Sequence, residues 1–535
     1  MIAALVEEAA VRVGPDTTAV VGLAVDPAAS PEQLTYRQLL DRSAALAAEL
    51  HRRGISRGAT IAVWLPNVPE WAVVELAAAR LGCRVAPVNT RYRAAEVRHV
   101  LDATKAEAIV APVGFLDIDP TSVLDGWSGL VLTVLFADGD APQRGIPMAE
   151  LTETAGAVPD VPVDALAEVA LNMFVTSGTT SSPKVVVHAQ HSIAIRFQAA
   201  ANRFEVGPGD AMMCALPLCG VWGLGSMLVT LLAGATAVLL PIFDADRVAA
   251  AIGEHGVTHM HGGDDMIRAV LSSARLEPGR CTRWRSVTFG NFSGRPPGDL
   301  LRTAERVPGL RVAAAYGSSE ALCLVAACPA SAPAARRLLA GGPLTDDCTD
   351  VMIVDPDEGN PIPAGSAGEL LVRGPTIMRG YLDNPEATGV AITPDGWLRT
   401  GDLAELTDDG WLVFHGRLRD SLRLRGFLVD PAEIEECLLG LPGVAAAQVV
   451  GARTPAGSGE VAVAFVQAEP GVVLDPDLLR SGCAGRIAAY KVPERAIIVD
   501  AFATVEGANG TKVRRVELRR MAEEALVTVA REEPC

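Results

Sequence analysis

The sequence predicts an α/β fold, with a large N-terminal domain of layered sheets flanked by helices and a small α+β C-terminal domain. Helical and strand patterns alternate along the chain, as they do where strands form largely parallel sheets. The 535 residues are enough for more than one domain, and 49% of them are hydrophobic, so large cores can form. The pattern changes near residue 416, where arginines follow one another closely.

The first hundred residues show the alternation most clearly. Residues 35–54 place leucines and alanines on one face of a helix and end at a glycine. Residues 60–67 read as a buried strand, residues 70–82 as a second helix that ends at a glycine, and residues 83–89 as a second strand. Helix and strand patterns return at residues 244–260. Strands and helices in alternation predict sheets covered by helices.

One segment without charges lies between Asp210 and Asp244 and is long enough to span a bilayer. Prolines and glycines interrupt it, whereas a spanning helix needs an unbroken apolar run. We therefore expect a buried helix that ends at Gly234, then a buried strand at residues 235–240, and no membrane span.

The predicted domain boundary lies in the arginine-rich segment, with a large domain at residues 1–418 and a small one at residues 419–535. Residues 430–452 read as a helix followed by a strand, and residues 460–467 read as another strand. The tail has the size of a small α+β domain. The arginines of the segment are Arg417, Arg419, Arg423 and Arg425.

Composition argues against several kinds of partner. The net charge of −18 argues against nonspecific nucleic acid and against anionic membranes, because both attract basic surfaces. A local cluster of donors can still bind an anion such as ATP. The ten cysteines lack the spacing of a zinc site or a disulfide framework, and the first residues show no basic leader or long apolar core. We therefore expect reduced thiols and a cytoplasmic location.

A loop rich in hydroxyl groups, residues 176–184, lies between two apolar runs that read as strands. Its side chains and backbone N–H groups can donate to phosphate oxygens, and Lys184 adds a positive charge. A Walker A loop does not fit, because Pro183 precedes the lysine and Val185 follows it. On this stretch alone, a phosphate site and an ordinary polar turn are both open.

Two later stretches offer further groups that suit a nucleotide. A strand of small residues ends at Tyr316, which can stack on a base. Ser319 can bond a phosphate oxygen, and Glu320 can hold Mg²⁺, which takes oxygen ligands. Asp402 follows a glycine turn and can accept from both hydroxyls of a ribose. Each stretch alone could also be a turn with a capping side chain.

Together with residues 416–435 and the glycine-rich loop before Lys512, these stretches occur in the order typical of one family. The chain resembles the adenylate-forming enzymes, which include acyl- and aryl-CoA synthetases, luciferases and the adenylation domains of peptide synthetases. It looks most like the acyl-CoA synthetases. The resemblance extends from residue 34 to Lys512, and the ordered set of motifs is highly specific.

The resemblance implies a contact for each part of ATP. The hydroxyl-rich loop would cover the β- and γ-phosphates, Tyr316 would lie against adenine, Ser319 at the α-phosphate and Glu320 on Mg²⁺. Asp402 would bind the ribose. The residues matched to ATP are Thr176, Ser177, Gly178, Thr179, Thr180, Lys184, Tyr316, Gly317, Ser319, Glu320, Asp402, Arg417 and Lys512.

The implied reaction activates a carboxylic acid. Its carboxylate attacks the α-phosphorus in line and pyrophosphate leaves, while Lys512 and Mg²⁺ bring the two anions together. No general base is needed, because a carboxylate is ionised at neutral pH. The thiol of CoA then attacks the mixed anhydride, and the small domain is implied to be mobile, rotating about Arg419 between the two steps. The predicted catalytic residues are Lys512, Glu320 and Lys184.

The predicted acid pocket departs from the family pattern. Cys219 and Gly220 stand where relatives commonly have an aromatic residue and a histidine, and Asp264 and Asp265 replace a Pro–Thr pair. The predicted pocket residues are Cys219, Gly220, Trp222, Asp264, Asp265, Gly290 and Asn291.

Two histidines, His259 and His261, precede the aspartate pair. Histidine and carboxylate are metal ligands, but the spacing matches no standard motif. A pocket wall or the end of a core strand is the favoured interpretation. Alternatively, Asp264 and Asp265 could face an amino or hydroxyl group of the substrate.

The sequence leaves three hypotheses open, each for a different class of function. The leading hypothesis is an ATP-dependent, AMP-forming acid–CoA ligase, because residues 426–438 look more like CoA ligases than peptide-synthetase domains. The alternative is a biosynthetic enzyme that passes the activated acid to a carrier protein or a nitrogen nucleophile, or that activates an unusual acid such as nitrite, as a diazotase would. The third is a binding protein without catalysis, against which the retained Lys512 and Glu320 argue.

Overall fold

The computed structural model describes residues 1–136, 142–152, 161–176, 184–292, 297–424, 427–453, 460–484, 486–487, 489–507 and 510–532. They form two compact units. The first comprises Met1–Gly290, Leu300–Val351 and Val372–Arg399, and the second comprises Asn291–Asp299, Met352–Leu371 and Thr400–Cys535. The boundary after residue 418 stays a prediction.

The helices are α1 (Ile2–Val13), α2 (Tyr36–Arg52), α3 (Pro69–Leu81), α4 (Ala94–Thr104), α5 (Pro120–Leu124), α6 (Met148–Thr152), α7 (Val163–Ala167), α8 (Gln190–Arg203), α9 (Val221–Ala233), α10 (Ala245–Glu254), α11 (Asp264–Ser272), α12 (Gly298–Ala304), α13 (Ala334–Arg337), α14 (Pro385–Ala391), α15 (Pro431–Leu439), α16 (Pro476–Ala484) and α17 (Arg515–Glu532). Short 3₁₀ turns occur at Leu418–Asp420 and Ala489–Lys491.

The strands are β1 (Thr18–Gly22), β2 (Glu32–Thr35), β3 (Thr60–Val63), β4 (Arg84–Pro87), β5 (Ala108–Val113), β6 (Leu130–Leu135), β7 (Ile146–Pro147), β8 (Ala170–Thr176), β9 (Lys184–Ala189), β10 (Ala211–Cys214), β11 (Thr236–Leu239), β12 (His259–Gly263), β13 (Ser286–Gly290), β14 (Arg311–Tyr316), β15 (Ala326–Ala327), β16 (Gly341–Gly342), β17 (Asp350–Val354), β18 (Gly368–Arg373), β19 (Gly380–Tyr381), β20 (Leu398–Leu406), β21 (Leu412–Arg417), β22 (Leu422–Leu424), β23 (Phe427–Val429), β24 (Val444–Arg453), β25 (Glu460–Ala468), β26 (Arg495–Ile498), β27 (Thr504–Gly507) and β28 (Gly510–Val513).

The first unit contains two long sheets. One has the order β15–β14–β13–β12–β10–β11–β1–β2, and the other has the order β19–β9–β8–β4–β3–β5–β6–β7. Strands β10 to β14 of the first sheet run parallel to one another, as do β3 to β6 of the second. The predicted α/β class, with largely parallel sheets between helices, is confirmed.

Local signals in the sequence explain where several helices begin and end. Thr35 caps α2. Its side chain accepts from the backbone N–H of Gln38, and the Gln38 side chain accepts from the backbone N–H of Thr35. Helix α3 ends at Gly82 in the left-handed conformation, with φ of 68°. The helix predicted in the charge-free segment is α9, and it ends at Gly234 with φ of 79°.

Helix α9 is buried along most of its length, as the apolar segment predicted. Strand β11 follows it inside the first sheet, between β10 and β1. Among the residues described, no helix is both long and apolar enough to cross a membrane.

The second unit has its own sheets and cores. Strands β21, β20, β18 and β17 are successive neighbours in one five-stranded sheet, and another sheet has the order β23–β22–β25–β24 with β26 beside β25. The predicted helix and strands of the tail are α15, β24 and β25. Leu424, Ile434, Leu438 and Val466 lie in the core on one side of the second sheet.

Candidate active site

Strands β8 and β9 hold the two ends of the hydroxyl-rich loop. They pair antiparallel, and Thr176 at the end of β8 lies opposite Lys184 at the start of β9. This confirms the strands predicted on either side of the loop. Ser177, Gly178, Thr179 and Thr180 lie outside the described residues, as does the side chain of Thr176. Their assignment to the phosphates of ATP stays a prediction.

Lys184 and Glu320, which are far apart in sequence, are linked through Tyr381. The Lys184 ammonium lies 4.7 Å from the centre of the Tyr381 ring, within the range of a cation–π contact. The Tyr381 hydroxyl donates to Glu320 Oε1 at 3.1 Å. The structure therefore brings two predicted catalytic residues to one tyrosine. Tyr381 was not predicted, because a Gly-Tyr pair before a turn is too common a pattern to single out.

Tyr316 and Glu320 lie at the carboxyl end of β14. Tyr316 is buried as the last residue of that strand. A Cβ atom on Gly317 would lie 2.4 Å from the backbone nitrogen of Leu324, so only glycine fits there. The backbone N–H of Met378 donates to the carbonyl oxygen of Glu320 at 2.7 Å. These contacts fix the backbone that carries the predicted nucleotide ligands.

The turn after Glu320 has an unusual backbone. Leu322, Cys323 and Leu324 have φ values of 55°, 45° and 41°, in the left-handed region that residues with side chains rarely adopt. Buried Arg196 approaches this turn, with Nη1 at 3.3 Å from the carbonyl oxygen of Leu324. Strain of this kind persists only where the surroundings hold it.

The predicted pocket residues of the first unit lie at one edge of the first sheet. The parallel strands β12, β13 and β14 end side by side, at Gly263, Gly290 and Tyr316. Asp264 follows β12 directly as the first residue of α11. In open parallel sheets, ligands bind beyond the carboxyl ends of the strands. Asn291 belongs to the second unit.

Cys219, Gly220 and Trp222 lie at the start of α9, near the same edge. The Asn67 amide donates to the carbonyl oxygens of Cys214 and Leu216, at 3.0 and 2.9 Å, which positions the chain ahead of α9. Gly220 is the N-cap of α9. Burial raises the pKa of the Cys219 thiol to about 12, so this group is uncharged at neutral pH.

The two aspartates have different surroundings. Asp264 is buried and forms an ion pair with Arg268, one helical turn later in α11. Asp265 has a half-exposed side chain, and its carboxylate lies 3.9 Å from the same guanidinium. The Asp264 charge is therefore compensated within the protein. Contact of either side chain with a substrate stays a prediction.

His259 and His261 share one face of β12. His259 contacts the Thr258 hydroxyl through Nδ1 at 2.8 Å and the Phe204 carbonyl oxygen through Nε2 at 2.9 Å. His261 contacts the Ser226 hydroxyl through Nδ1 at 2.9 Å. Within the described part of the chain, no group of three or more His, Cys, Asp or Glu side chains could hold a metal ion.

In the second unit, Asp402 and Arg417 face each other on β20 and β21. Arg417 Nη1 lies 2.9 Å from Asp402 Oδ1, and the Asp402 carboxylate is almost fully buried. Arg417 also donates to the Thr400 carbonyl oxygen at 3.3 Å, and Gly401, which lies inside β20, has a φ of 64°. The tight turn predicted before Asp402 is not present, because β20 continues through both Gly401 and Asp402, and an arginine predicted to bind ATP adjoins Asp402.

Lys512 and Arg419 are described only by their backbones. Lys512 lies in β28, opposite Val505 of β27. Arg419 lies in the 3₁₀ turn that follows β21. Their predicted roles at the α-phosphate and at the hinge stay predictions.

Comparisons with known proteins show the family of this chain. Residues 6–382 match the family described as AMP-binding enzyme, and residues 433–506 match its C-terminal domain. The chain therefore belongs to the AMP-binding enzymes, which confirms the resemblance to adenylate-forming enzymes.

Two curated relatives match nearly the whole chain. The 3-[(3aS,4S,7aS)-7a-methyl-1,5-dioxo-octahydro-1H-inden-4-yl]propanoyl:CoA ligase of Rhodococcus jostii is 33% identical over 88% of this chain and 91% of the relative. A 4-coumarate–CoA ligase of Oryza sativa is 31% identical over 92% and 90%. These similarities confirm the prediction of an AMP-forming acid–CoA ligase.

One similar solved structure is named for the formation of an amide and not of a CoA thioester. The amide bond synthetase McbA of Marinactinospora thermotolerans superposes with a TM-score of 0.80, covering 97% of this chain and 100% of that one at 26% identity.

Proposed function

We propose that this enzyme activates a ring-bearing carboxylic acid with ATP and passes the acyl group to the thiol of CoA. The observation that supports a ring-bearing acid is the small size of the residues near the strand ends. Gly263, Gly290 and Ala313 lie on one face of the sheet, the face on which α9 packs against β12. We infer that residues this small leave room for a flat ring at the strand ends. The acids in the names of the two curated ligases also contain rings.

The ligands of ATP are proposed from the family match and the positions of the residues. Tyr316 would lie against adenine and Ser319 at the α-phosphate. Lys184 would neutralise the outgoing phosphates, and Asp402, with Arg417 beside it, would bind the ribose. The Glu320 carboxylate is a suitable ligand for Mg²⁺. A bound Mg²⁺ would withdraw negative charge from the phosphate oxygens.

The proposed reaction has two steps. A carboxylate oxygen of the acid attacks the α-phosphorus, the bond from that phosphorus to the bridging oxygen breaks, and pyrophosphate leaves. Lys512 would hold the acid and the α-phosphate together as charge builds between them. The thiolate of CoA then attacks the acyl carbon, and AMP leaves. We further propose that residues 419–535 move about Arg419 between the steps, and that the enzyme works in the cytoplasm.

A second acceptor is favoured by one specific observation. The fold matches an amide bond synthetase over nearly the whole chain, so an amine could replace the thiol. The adenylation step would be unchanged, because it precedes the choice of acceptor. A carrier protein or an inorganic acid such as nitrite belongs to the same alternative.

The test measures pyrophosphate release with ATP and Mg²⁺ over aryl, alicyclic, aliphatic and inorganic acids. Each acid is measured alone, with CoA and with an amine. Release that needs an acid and turns over only with CoA supports the ligase. Turnover with the amine and not with CoA would replace CoA by a nitrogen acceptor, and no release with any acid would contradict acid activation.

A further inference from the structure

The sheet face towards α9 carries two histidines of β12, with small residues towards the strand ends. Side chains alternate along a strand, so His259, His261 and Gly263 of β12 point to one side. Met260 points to the other side, into the core formed with α10 and α11. Gly262 does so too, since a Cβ placed there would lie 2.9 Å from the Ile267 side chain.

Neighbouring strands extend this face towards the strand ends. Parallel pairing places Thr288 beside His261 and Gly290 beside Gly263, and it places Ala313 beside Thr288. Registered neighbours in a sheet share a face. His261 therefore lies at the base of the wall proposed to receive the acid, two residues before its strand ends.

The opposite wall is α9. The His261 ring lies 5.9 Å from the Trp222 ring and 4.8 Å from the Phe204 ring, measured between centres. Trp222 is a predicted pocket residue at the start of α9. His261 and Trp222 are thus neighbours where α9 packs on the sheet.

Hydrogen bonds decide which nitrogen of His261 carries the proton. The Ser226 hydroxyl donates its single hydrogen to the Trp222 carbonyl oxygen at 2.8 Å. Its oxygen can then only accept from His261 Nδ1, which lies 2.9 Å away. Nδ1 therefore bears the hydrogen and Nε2 bears a lone pair. Burial lowers the pKa of His261 to about 3, so the ring stays neutral at physiological pH.

That lone pair has no hydrogen-bond partner among the described residues, although Nε2 is buried. His259, on the same strand face, has partners at both nitrogens. A buried acceptor without a donor destabilises the protein, and it calls for an explanation. The nearby Asp264 does not serve as an alternative acceptor in the same way, because Arg268 already compensates its charge.

We propose that His261 Nε2 accepts a hydrogen bond from a hydroxyl or amino group on the acid, and so selects ring-bearing acids with a donor substituent. This rests on the proposed function. The acid would supply the hydrogen-bond donor that His261 Nε2 lacks within the described part of the protein. An analogue with hydrogen or methoxyl in place of the donor would leave the lone pair unpaired, and sites that bond a substrate O–H or N–H discriminate strongly against such analogues.

The test compares matched aryl acids that differ by one substituent. Benzoates and cinnamates with hydrogen, hydroxyl, amino or methoxyl at each ring position are assayed by acid-dependent exchange of pyrophosphate into ATP. The best donor-bearing acid should have kcat/KM at least about 10-fold above both its hydrogen and its methoxyl analogue. His261→Phe should bring that ratio to within about 3-fold by lowering kcat/KM for the donor-bearing acid alone.

Two further variants separate recognition from packing. His261→Gln retains an acceptor oxygen and should keep part of the preference. His259→Phe removes a ring whose nitrogens both have partners, and it should affect donor-bearing and plain acids equally.

The outcomes distinguish this proposal from the function on which it rests. Exchange with several acids but no preference for a donor would overturn the role of His261. A preference that survives His261→Phe, or a preference for methoxyl, would also overturn it. Absence of exchange with every acid would instead overturn the proposed function.

Discussion

The imidazole Nε2 of His188 lies 2.7 Å from the carbonyl oxygen of Ser319. A carbonyl oxygen only accepts, so Nε2 carries the hydrogen and donates it. His188 belongs to β9, which starts at Lys184, and Ser319 adjoins Glu320. One hydrogen bond therefore links the strand after the hydroxyl-rich loop to the loop that carries the proposed ligands of the α-phosphate and Mg²⁺.

We expect His188→Phe to raise the KM for Mg²⁺-ATP about 10-fold, because loss of one buried bond is worth roughly that factor. The reason is that the Ser319–Glu320 backbone loses a donor while the ring volume is kept. Steady-state kinetics at varied ATP measures the effect. His191→Phe is the matched control, since His191 lies three residues later and contacts the Ala167 carbonyl oxygen at 3.1 Å. Equal effects of the two variants would contradict a positioning role for His188.

We expect Lys512→Ala to lower the rate of acid-dependent pyrophosphate exchange about 100-fold to 1000-fold, as loss of one charge-stabilising donor does in other enzymes. Lys491→Ala is the control in the same unit. Its ammonium pairs with Glu433 at 2.6 Å and has no proposed part in the reaction, so exchange should continue at the wild-type rate. An unchanged rate in Lys512→Ala would refute the proposed adenylation mechanism.

We expect Asp346→Asn to lower the free energy of unfolding by about 3–5 kcal/mol, because it leaves a buried guanidinium without its counter-charge. Arg196 Nη1 lies 2.7 Å from Asp346 Oδ2, and both side chains are buried. Chemical denaturation of wild type and variant gives the difference.

An exposed pair provides the comparison for this variant. Arg373 and Asp350 lie 2.9 Å apart with both side chains substantially exposed. Asp350→Asn should cost less than about 1 kcal/mol, because water screens such pairs. Similar losses in the two variants would show that burial of the Arg196 pair is not the cause.

We expect Glu75→Gln to become more stable relative to wild type as the pH rises. Burial raises the pKa of the Glu75 carboxyl from 4.5 to about 7, and the bond that it accepts from Asn172 at 3.1 Å only partly opposes this. The folded protein therefore keeps a proton that the unfolded chain releases. The stability due to this group is complete below pH 4.5 and is lost as the pH rises through 7.

The measurement is urea unfolding of wild type and Glu75→Gln at acidic and at mildly alkaline pH. The variant should gain about 3 kcal/mol relative to wild type between the two conditions, from the size of the shift. Parallel behaviour of the two proteins would mean that Glu75 ionises normally in the folded state.

Features encoded within a few neighbouring residues could be predicted from the sequence. Helix α2 begins at the capping pair Thr35 and Gln38, and α9 ends at Gly234, because caps and left-handed glycines act over one helical turn. The strands on both sides of the hydroxyl-rich loop were also predicted, because each is a run of neighbouring apolar residues. The order of the motifs also identified the family.

Contacts between distant segments could not be predicted in this way. Tyr381 lies between Lys184 and Glu320, although no local pattern marks it. The aspartates that looked alike in sequence differ, because Arg268 covers Asp264 while Asp265 stays exposed.

The sequence by itself determined the α/β class, the family and the residue types available for acid activation, because periodicity, caps and ordered motifs are written in neighbouring residues. Only the tertiary structure decided which nitrogen of His261 bears a lone pair and which carbonyl oxygen accepts a hydrogen bond from His188. Those properties depend on the atoms that packing brings within about 3 Å, the range of a hydrogen bond, and packing joins residues that the sequence keeps apart.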